Sequence, residues 1–188
     1  DRQGCPRELE ELIRDYERLL DQGDEEARRY PEILGALWAE KAVVDFNLGR
    51  YVSAMDAFLK AGSYDDAGYV AECVLTSDEL VDYCEALSAA DRKRVVRSRE
   101  WVNESVVIES YFGQILARKL AREGRFTAAH RYNPEAPYLR YAQLLEKAHG
   151  GRLPKYKRAE LLFEAARMTR EQGMEMFGTR FAPDWKRY

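Results

Sequence analysis

The stretch Trp38-Ala39-Glu40-Lys41-Ala42 decides the fold of this chain, together with the residues that follow it: Gly49-Arg50-Tyr51, Ala54, Phe58 and Ala61. Aromatic, small and glycine residues at these spacings are typical of two short helices that pack antiparallel around a tight turn. Gly49 predicts the end of the first helix, because glycine adopts the left-handed backbone conformation at little cost. Residues 51–60 are predicted to form the returning helix.

The turn chemistry of this hairpin recurs along the chain. The echoes of Gly49-Arg50-Tyr51 with Ala54 are Gly62-Ser63-Tyr64 with Ala67, Gly124-Arg125-Phe126 with Ala129, Gly23-Asp24 with Ala27, and Tyr156 with Ala159. In each, we expect the aromatic ring to fill the space between helices and the alanine to allow their close approach. Recurrence at several places indicates a helical repeat array, and the uneven spacing indicates that its repeats are degenerate.

Helical periodicity also covers the segments between these turns. Apolar residues three or four apart from Leu9 to Leu20 predict an amphipathic helix. Thr76 and Glu79 match a capping box, the pair of side chains that often starts a helix. No run of alternating polar and apolar residues favours a sheet, so the sequence predicts an all-α chain of nine or ten helices.

Three further helix starts are predicted from Asp91 onward. Asp91 is expected to open a charged helix that holds Val95 and Val96 inside. Asn133-Pro134-Glu135 reads as a cap followed by proline in the first turn. After a loop at 151–154, the last helix is expected to run over residues 157–173.

The segment from Trp38 to Ala61 resembles the tetratricopeptide repeat. The aromatic and small residues match the pattern of that family, whereas Lys41 and Asp45 replace its usual leucine and tyrosine. Weaker matches cover residues 115–129 and 138–166, and degenerate repeats of this kind are also similar to Sel1-like repeats. The structural repeat positions that the resemblance assigns are Trp38, Ala42, Gly49, Tyr51, Ala54, Phe58, Ala61, Gly124, Phe126, Ala129, Ala159, Phe163 and Ala166.

The resemblance implies a right-handed superhelix of two-helix repeats, an α-solenoid, with residues 1–188 as one domain and 178–188 as a packing tail. Such arrays bind a protein or peptide on their concave face. The side chains that the resemblance places on that face are Phe46, Asn47, Gln114, Arg118, Arg122, Arg140, Leu144 and Lys147. Arginines there would favour an acidic or amphipathic peptide. The expected function is therefore that of a scaffold or adaptor, and ordinary solvated charges are the alternative for these residues.

Composition limits the classes of protein to which the chain can belong. Its 188 residues carry a net charge of only −3, with 34% charged residues of both signs, so no overall field attracts nucleic acid or an anionic membrane. The hydrophobic fraction of 46% is too high for a disordered chain. No apolar run reaches the ~20 residues of a membrane span. The chain begins at Asp1, and a processed or excised piece of a longer protein is the expectation.

Residues that could carry catalysis or bind metal are scattered. Cys73 and Cys84 are predicted to be buried hydrophobes, and the odd count of three cysteines slightly favours a reducing cytoplasm while leaving export open. His130 and His149 have no neighbours at metal-ligand spacing. The chain also lacks a glycine-rich phosphate loop and a nucleophile elbow. We therefore predict no enzyme activity, no metal and no cofactor. A ligand-sensing regulatory domain is the first alternative, and an enzyme with an inter-helix site is the second.

Two further segments have open interpretations. The cations of residues 92–99, ending beside Trp101, are a solvated helix, a partner-docking surface or, least of all, a nucleic-acid contact. In the tail, Phe181 and Trp185 would be unfavourable if exposed. We expect them to cap the last repeat, with docking into another copy, and hence self-association, as the alternative.

Overall fold

The computed structural model describes residues 4–96, 106–150 and 153–179. Contacts along the chain define two compact units: unit 1 holds residues 1–83 and 94–106, and unit 2 holds 84–93 and 107–188. The described residues are all-α, as predicted, with eleven α-helices. These are α1 (Gly4–Asp21), α2 (Glu25–Arg29), α3 (Glu32–Asn47), α4 (Tyr51–Ala61), α5 (Tyr64–Tyr69), α6 (Ser77–Ala86), α7 (Ala89–Arg92), α8 (Ile108–Arg122), α9 (Phe126–Tyr132), α10 (Tyr138–His149) and α11 (Lys155–Phe177).

Unit 1 is built around the predicted hairpin of α3 and α4, with α1 against α3 and α5 against α4. Ala42 and Ala54 are completely buried, so the absence of a larger side chain allows the two helices to lie close together. Gly49 has a φ of 74° and takes the left-handed conformation predicted for the turn. Phe46 and Tyr51 close the turn edge to face, with ring centroids 5.3 Å apart.

The glycine-and-alanine turns are confirmed at three other places. Gly23, Gly62 and Gly124 all have φ between 75° and 79°. The alanine that follows each of them, Ala27, Ala67 or Ala129, is buried. The recurring pattern therefore marks real helix ends with a small residue at the point of closest approach.

The segment after α5 continues as a π turn, Val70–Val74, before α6 begins. The predicted capping box is confirmed at the start of α6. The backbone N–H and hydroxyl of Thr76 donate to Glu79 at 2.8 and 2.7 Å, and the Glu79 N–H donates back to the Thr76 hydroxyl at 3.2 Å. These reciprocal bonds satisfy donors that an uncapped helix start would leave without protein partners.

Unit 2 contains two helical hairpins, α8 with α9 and α10 with α11. Helix α8 supplies much of the core, with Tyr111, Phe112 and Ile115 completely or almost completely buried. A Cβ on Gly113 would lie 3.1 Å from the Tyr132 carbonyl oxygen, so glycine allows α9 to approach α8. Phe126, Tyr141 and Phe177 form an edge-to-face aromatic cluster that joins α9, α10 and the end of α11.

Two predicted helix boundaries are wrong. Helix α7 ends at Arg92, and Val95 and Val96 form a two-residue strand, β1, that pairs with Val106–Val107, β2. Ser88, rather than Asp91, caps α7 by accepting from the Asp91 N–H. Helix α10 begins at Tyr138, because residues 133–137 form turns instead of a first helical turn.

The third repeat match needs a correction. Ala159, Phe163 and Ala166 were expected to pack between helices, but all three are exposed, Phe163 to 73% of its surface. The face of α11 that meets α10 instead carries Leu161, Ala165 and Met168, which pack with Tyr141, Leu144 and Leu145. Helix α11 thus has two apolar faces, and the repeat pattern coincides with the outer one.

Candidate functional site

Helix α3 presents apolar side chains to solvent before and after Glu40, which is exposed on the same face. Ile33, Ala36 and Val43 are exposed along this face, Ile33 to 41% and Val43 to 49%, and Asn47 continues it at its end. Their spacings of three, seven and four residues place them on one side of the helix. We call Ile33, Ala36, Val43 and Asn47 the α3 stripe. It lies within unit 1 and includes Asn47, which the repeat resemblance places on the peptide-binding face.

The predicted site residues of unit 1 lie at the end of this stripe. Asn47 is exposed and carries a polar amide at its last position. Phe46 is partly buried because its ring packs against Tyr51, so only part of it is available for a partner.

The three predicted arginines of unit 2 have contacts within that unit. Arg122 Nη1 donates to the carbonyl oxygens of Phe177 and Gly178 at 3.0 and 3.1 Å, and so holds the end of α11. Arg140 pairs with Glu164 across the α10–α11 hairpin. Arg118 Nε donates to the carbonyl oxygen of Gln114 at 3.2 Å, within its own helix. Their charge is therefore partly used to hold helices and helix ends together.

The remaining predicted residues of unit 2 divide between core and surface. Leu144 is buried in the α10–α11 core and does not reach a surface. Gln114 is half-buried on α8, and Lys147 is exposed near the end of α10. The six residues assigned to unit 2 therefore include structural groups as well as surface groups.

Unit 2 also contains a cavity of about 580 Å³, a volume in the range of small-molecule sites. Its lining residues are Cys84, Glu85, Leu87, Arg92, Val107, Glu109, Ser110, Gly113, Arg131 and Tyr132. Two arginines and two glutamates are among them, together with apolar side chains. The lining is therefore close to neutral in net charge while offering both signs to a ligand.

Arg92 is the most constrained cation of this cavity. Its Nε and Nη2 donate to the carbonyl oxygens of Leu87 and Glu85, each at 3.1 Å, and its Nη1 lies 3.3 Å from Glu109 Oε1. Because these carbonyls lie at the end of α6, Arg92 caps that helix. The arginine is therefore neither a freely solvated charge nor part of a long basic helix; Arg97, Arg99 and Trp101 of the same sequence patch lie outside the described residues.

A second charged group of the cavity is centred on Glu85. Its Oε1 accepts from the Tyr132 hydroxyl at 3.2 Å and lies 3.2 Å from Arg131 Nη2. The Arg131 guanidinium also lies over the Tyr132 ring, 5.6 Å from its centroid. Burial, followed by the negative charge of Glu85, raises the pKa of Tyr132, so the hydroxyl stays protonated and donates to the carboxylate.

The thiol of Cys84 forms part of the cavity wall. Burial raises the pKa of Cys84 to about 12, so the thiol is neutral and a poor nucleophile at physiological pH. The prediction that this cysteine is a buried hydrophobe is thereby confirmed for Cys84. It is wrong for Cys73, which is exposed.

The cavity was not found by sequence reasoning. Glu85, Glu109 and Arg131 are ordinary helix-surface residues in the sequence and share no spacing pattern. Arg92 stands out in the sequence only as one of the run of cations at residues 92–99. Only the packing of α6, α7, α8 and α9 brings these residues together, and no local signal in the sequence indicates that packing.

Two other kinds of site have no candidates among the described residues. No three His, Cys, Asp or Glu side chains in residues 4–96, 106–150 and 153–179 converge as a metal site would require. Across the same ranges, no helix combines the length and hydrophobicity of a membrane span. His149 Nδ1 lies 2.8 Å from the carbonyl oxygen of Leu145, one turn back along α10.

Comparison of the chain with protein-family models, with curated proteins and with solved structures gave no match. The assignment of function therefore depends on the geometry described above.

Proposed function

We propose that this chain is a tetratricopeptide-like protein-interaction module, an α-solenoid in type, that binds an apolar peptide segment along the α3 stripe. The observation that carries the proposal is the exposure of Ile33 and Val43 on a helix whose other sides are already packed. A helix that is apolar toward solvent as well as toward the core has hydrophobic surface left for a partner.

The α3 stripe suits a partner helix. Ile33, Ala36 and Val43 span about 15 Å along the axis, which is two to three helical turns. An amphipathic helix with apolar residues three or four apart could lie along this length and bury both β-branched side chains. Between them, Ala36 allows the partner's backbone to come close, and Glu40 places a carboxylate beside it. The partner chemistry that this surface favours is therefore amphipathic.

The expected preference for acidic peptides has weaker support. Arg122 and Arg140, which would supply it, already hold the end of α11 and the α10–α11 hairpin. The apolar stripe alone therefore supports the proposal, and negative charge on the partner is not required by it.

A displayed library of amphipathic peptides, selected against the wild-type chain, tests the proposed function. Binding of each selected peptide is then measured by fluorescence anisotropy against Val43→Glu and against Leu12→Glu. Leu12 is a matched control because it is an equally exposed apolar residue of unit 1, on helix α1 rather than α3. We expect the dissociation constant to rise about tenfold or more for Val43→Glu, since the glutamate replaces one buried aliphatic contact.

Two results would overturn the assignment. Peptides that bind both variants as tightly as they bind the wild type would place the site away from α3. The second result is that no peptide with apolar residues at helical spacing is selected, although the circular dichroism of the wild-type chain shows that it is folded. That result would contradict the proposal that the chain is a protein-interaction module.

The cavity of unit 2 favours a second candidate function, the sensing of a small ligand. Because its walls offer Arg92 and Arg131 together with Glu85 and Glu109, a zwitterion such as an amino acid could pair both of its charges there. A thermal-shift screen of amino acids tests this, with Ser110→Trp as a variant that fills the cavity from its exposed rim. A shift that persists in Ser110→Trp would exclude the cavity as the binding site.

A further inference from the structure

The outer face of helix α11 is an apolar surface that the described residues leave open. Tyr156 and Phe163 are exposed to 62% and 73% of their surfaces, and Ala159 and Ala166 are exposed on either side of Phe163. We call these four residues the α11 stripe. Their spacings of three, four and three residues place them on one side of the helix. Large apolar side chains aligned in this way indicate a surface that binds a partner.

The α11 stripe lies opposite the side of the helix that is already packed. Leu161, Ala165 and Met168 form that packed side, in the core shared with α10. Gln172 departs from helical angles, with φ −132° and ψ 16°, so the regular helix that carries the stripe ends before it. Residues 156–170 therefore form one regular helical face within unit 2, about 21 Å long.

The charged residues beside the stripe are distributed unequally before and after Phe163. Glu160 lies three residues before it, and Arg167 and Arg170 lie four and seven residues after it. All three charged side chains are exposed. At 100° per residue they fall within about 60° of Phe163 around the helix axis. This face of α11 is therefore acidic on the N-terminal side of Phe163 and basic on the C-terminal side.

From this arrangement we propose that the α11 stripe binds the α11 stripe of a second copy of the chain. The two helices run antiparallel about a two-fold axis that passes beside Phe163. Residues at similar distances before and after Phe163 then face each other across the pair. Glu160 of each copy lies beside Arg167 of the other, so symmetry forms two ion pairs along one edge of the contact.

The remaining residues of the face also suit this pairing. Ala159 of each copy faces Ala166 of the other along the opposite edge, and such small side chains allow the helix axes to approach to about 8 Å. Tyr156 and Arg170 are each seven residues from Phe163, so the guanidinium of one copy is within reach of the ring of the other. Each half of the face thus meets a complementary half.

Charge also decides between a second copy in the antiparallel direction and one in the parallel direction. A parallel pair would place Glu160 against Glu160 and Arg167 against Arg167, and like charges held together in this way are unfavourable. The antiparallel pair replaces both repulsions by attractions. The stripe is therefore self-complementary in one direction only.

The size of the surface predicts a weak dimer. A fully buried aromatic side chain removes about 150–250 Å² from water, so the exposed parts of Tyr156 and Phe163 in two copies account for about 500 Å². The alanines and the stems of the charged residues bring the total toward about 1,000 Å², the lower limit for a specific interface. We therefore expect a dissociation constant on the order of 10–100 μM.

This self-association is independent of the peptide site proposed on α3, because it uses a different helix and concerns unit 2. An unrelated protein, or a part of the same chain that lies outside the described residues, is a competing occupant of the α11 stripe. Either of these would leave the purified chain monomeric.

Sedimentation velocity of the full chain, from about 1 to 300 μM in low salt, tests the dimer. We expect the wild type to pass from monomer to dimer within this range. Phe163→Ser should raise the dissociation constant about 100-fold, because each dimer loses two buried rings. Val43→Ser, which removes an exposed apolar side chain of α3, is the control and should leave the constant unchanged. A wild type that stays monomeric, or a dimer that is insensitive to Phe163→Ser, would overturn the proposal.

Charge reversals test the direction of the pair. Arg167→Glu and Glu160→Arg each place like charges opposite one another, and each should raise the dissociation constant about tenfold. The double variant Glu160→Arg/Arg167→Glu restores both attractions and should dimerise as the wild type does. Arg158→Glu makes the same change of charge about 140° around the helix from Phe163 and should have little effect. With circular dichroism unchanged in every variant, a double variant as weak as the single ones would contradict the antiparallel pair.

Discussion

The side-chain ammonium of Lys41 lies against the carboxylate of Asp45, one turn further along α3, and that carboxylate is almost completely buried. The Ser53 hydroxyl of α4 donates to the same carboxylate at 2.7 Å, and Arg50 Nη1 lies 3.6 Å from its other oxygen. Lys41 and Asp45 are the two positions at which the hairpin departs from the repeat pattern that it resembles. The departures thus form an ion pair with each other within α3, and the Ser53 hydroxyl links that pair to α4.

Replacing Lys41 by methionine should strongly destabilise unit 1. The change leaves the buried Asp45 carboxylate without its closest cation, and breaking a buried pair from one side costs about 3 kcal/mol or more. Urea unfolding followed by circular dichroism measures the loss. The double variant Lys41→Met/Asp45→Leu removes both charges and should recover most of it. A double variant that is less stable than Lys41→Met would show that the pair is not the cause.

Substitution of glycine by alanine should have opposite effects at two positions of the same helical hairpin. Gly49 has a φ of 74°, and an alanine forced into that conformation costs about 1–2 kcal/mol. Gly35 lies inside α3, where an added Cβ would meet the Ala61 carbonyl oxygen at an ordinary 3.7 Å. Gly35→Ala should therefore stabilise the chain by up to about 1 kcal/mol. Equal shifts of the two unfolding midpoints would contradict this account of the turn.

Enlarging Ala54 should separate α3 from α4. Its Cβ is completely buried where the helices approach, and overpacking of such a site costs about 1–3 kcal/mol. Ala54→Leu is therefore expected to lower the unfolding midpoint. Ala36→Leu, on the exposed side of α3, is the control and should change stability by less than about 0.5 kcal/mol. Similar losses in both variants would mean that helix propensity, rather than packing, decides the outcome.

The raised pKa of Cys84 predicts a loss of stability at alkaline pH. The folded state keeps the thiol proton up to a pKa of about 12, whereas the unfolded chain releases it near the ordinary value of 9.0. Below pH 9 the two states bind the proton equally. Between pH 9 and 12 the unfolded state is deprotonated first, so this group lowers the free energy of unfolding by up to about 1.4 kcal/mol per pH unit.

Urea unfolding of the wild type and of Cys84→Ala at pH 8, 9, 10 and 11 isolates this effect, since other titrating groups are common to both chains. The wild type should lose more stability than the variant above pH 9. Parallel curves over the whole range would show that the thiol is not shielded in the folded state.

Local features of this chain could be predicted, because each depends on a few neighbouring residues. The left-handed conformations of Gly49, Gly62 and Gly124 follow from glycine's lack of a Cβ, and the Thr76 cap follows from side-chain hydrogen bonding. The assignment of Phe46 and Asn47 on α3 to a binding face comes from the repeat resemblance alone and stays a prediction.

Features that depend on the choice between two apolar faces could not be predicted. Helix α11 carries one apolar row through Phe163 and another through Ala165 and Met168, and a spacing pattern cannot say which row meets α10. The strand at Val95 and Val96 could not be predicted either, because two adjacent valines are compatible with a helix interior as well as with a strand. The cavity around Arg92 and Glu85 arises from four helices in space, and nothing local encodes it.

The π turn at Val70–Val74 has a consequence for how the chain can be recognised. A π turn contains more residues than the α turn it replaces, and Leu75 then leaves it with extended backbone angles, φ −70° and ψ 149°. A pattern of constant helical spacing therefore does not continue from α5 into α6.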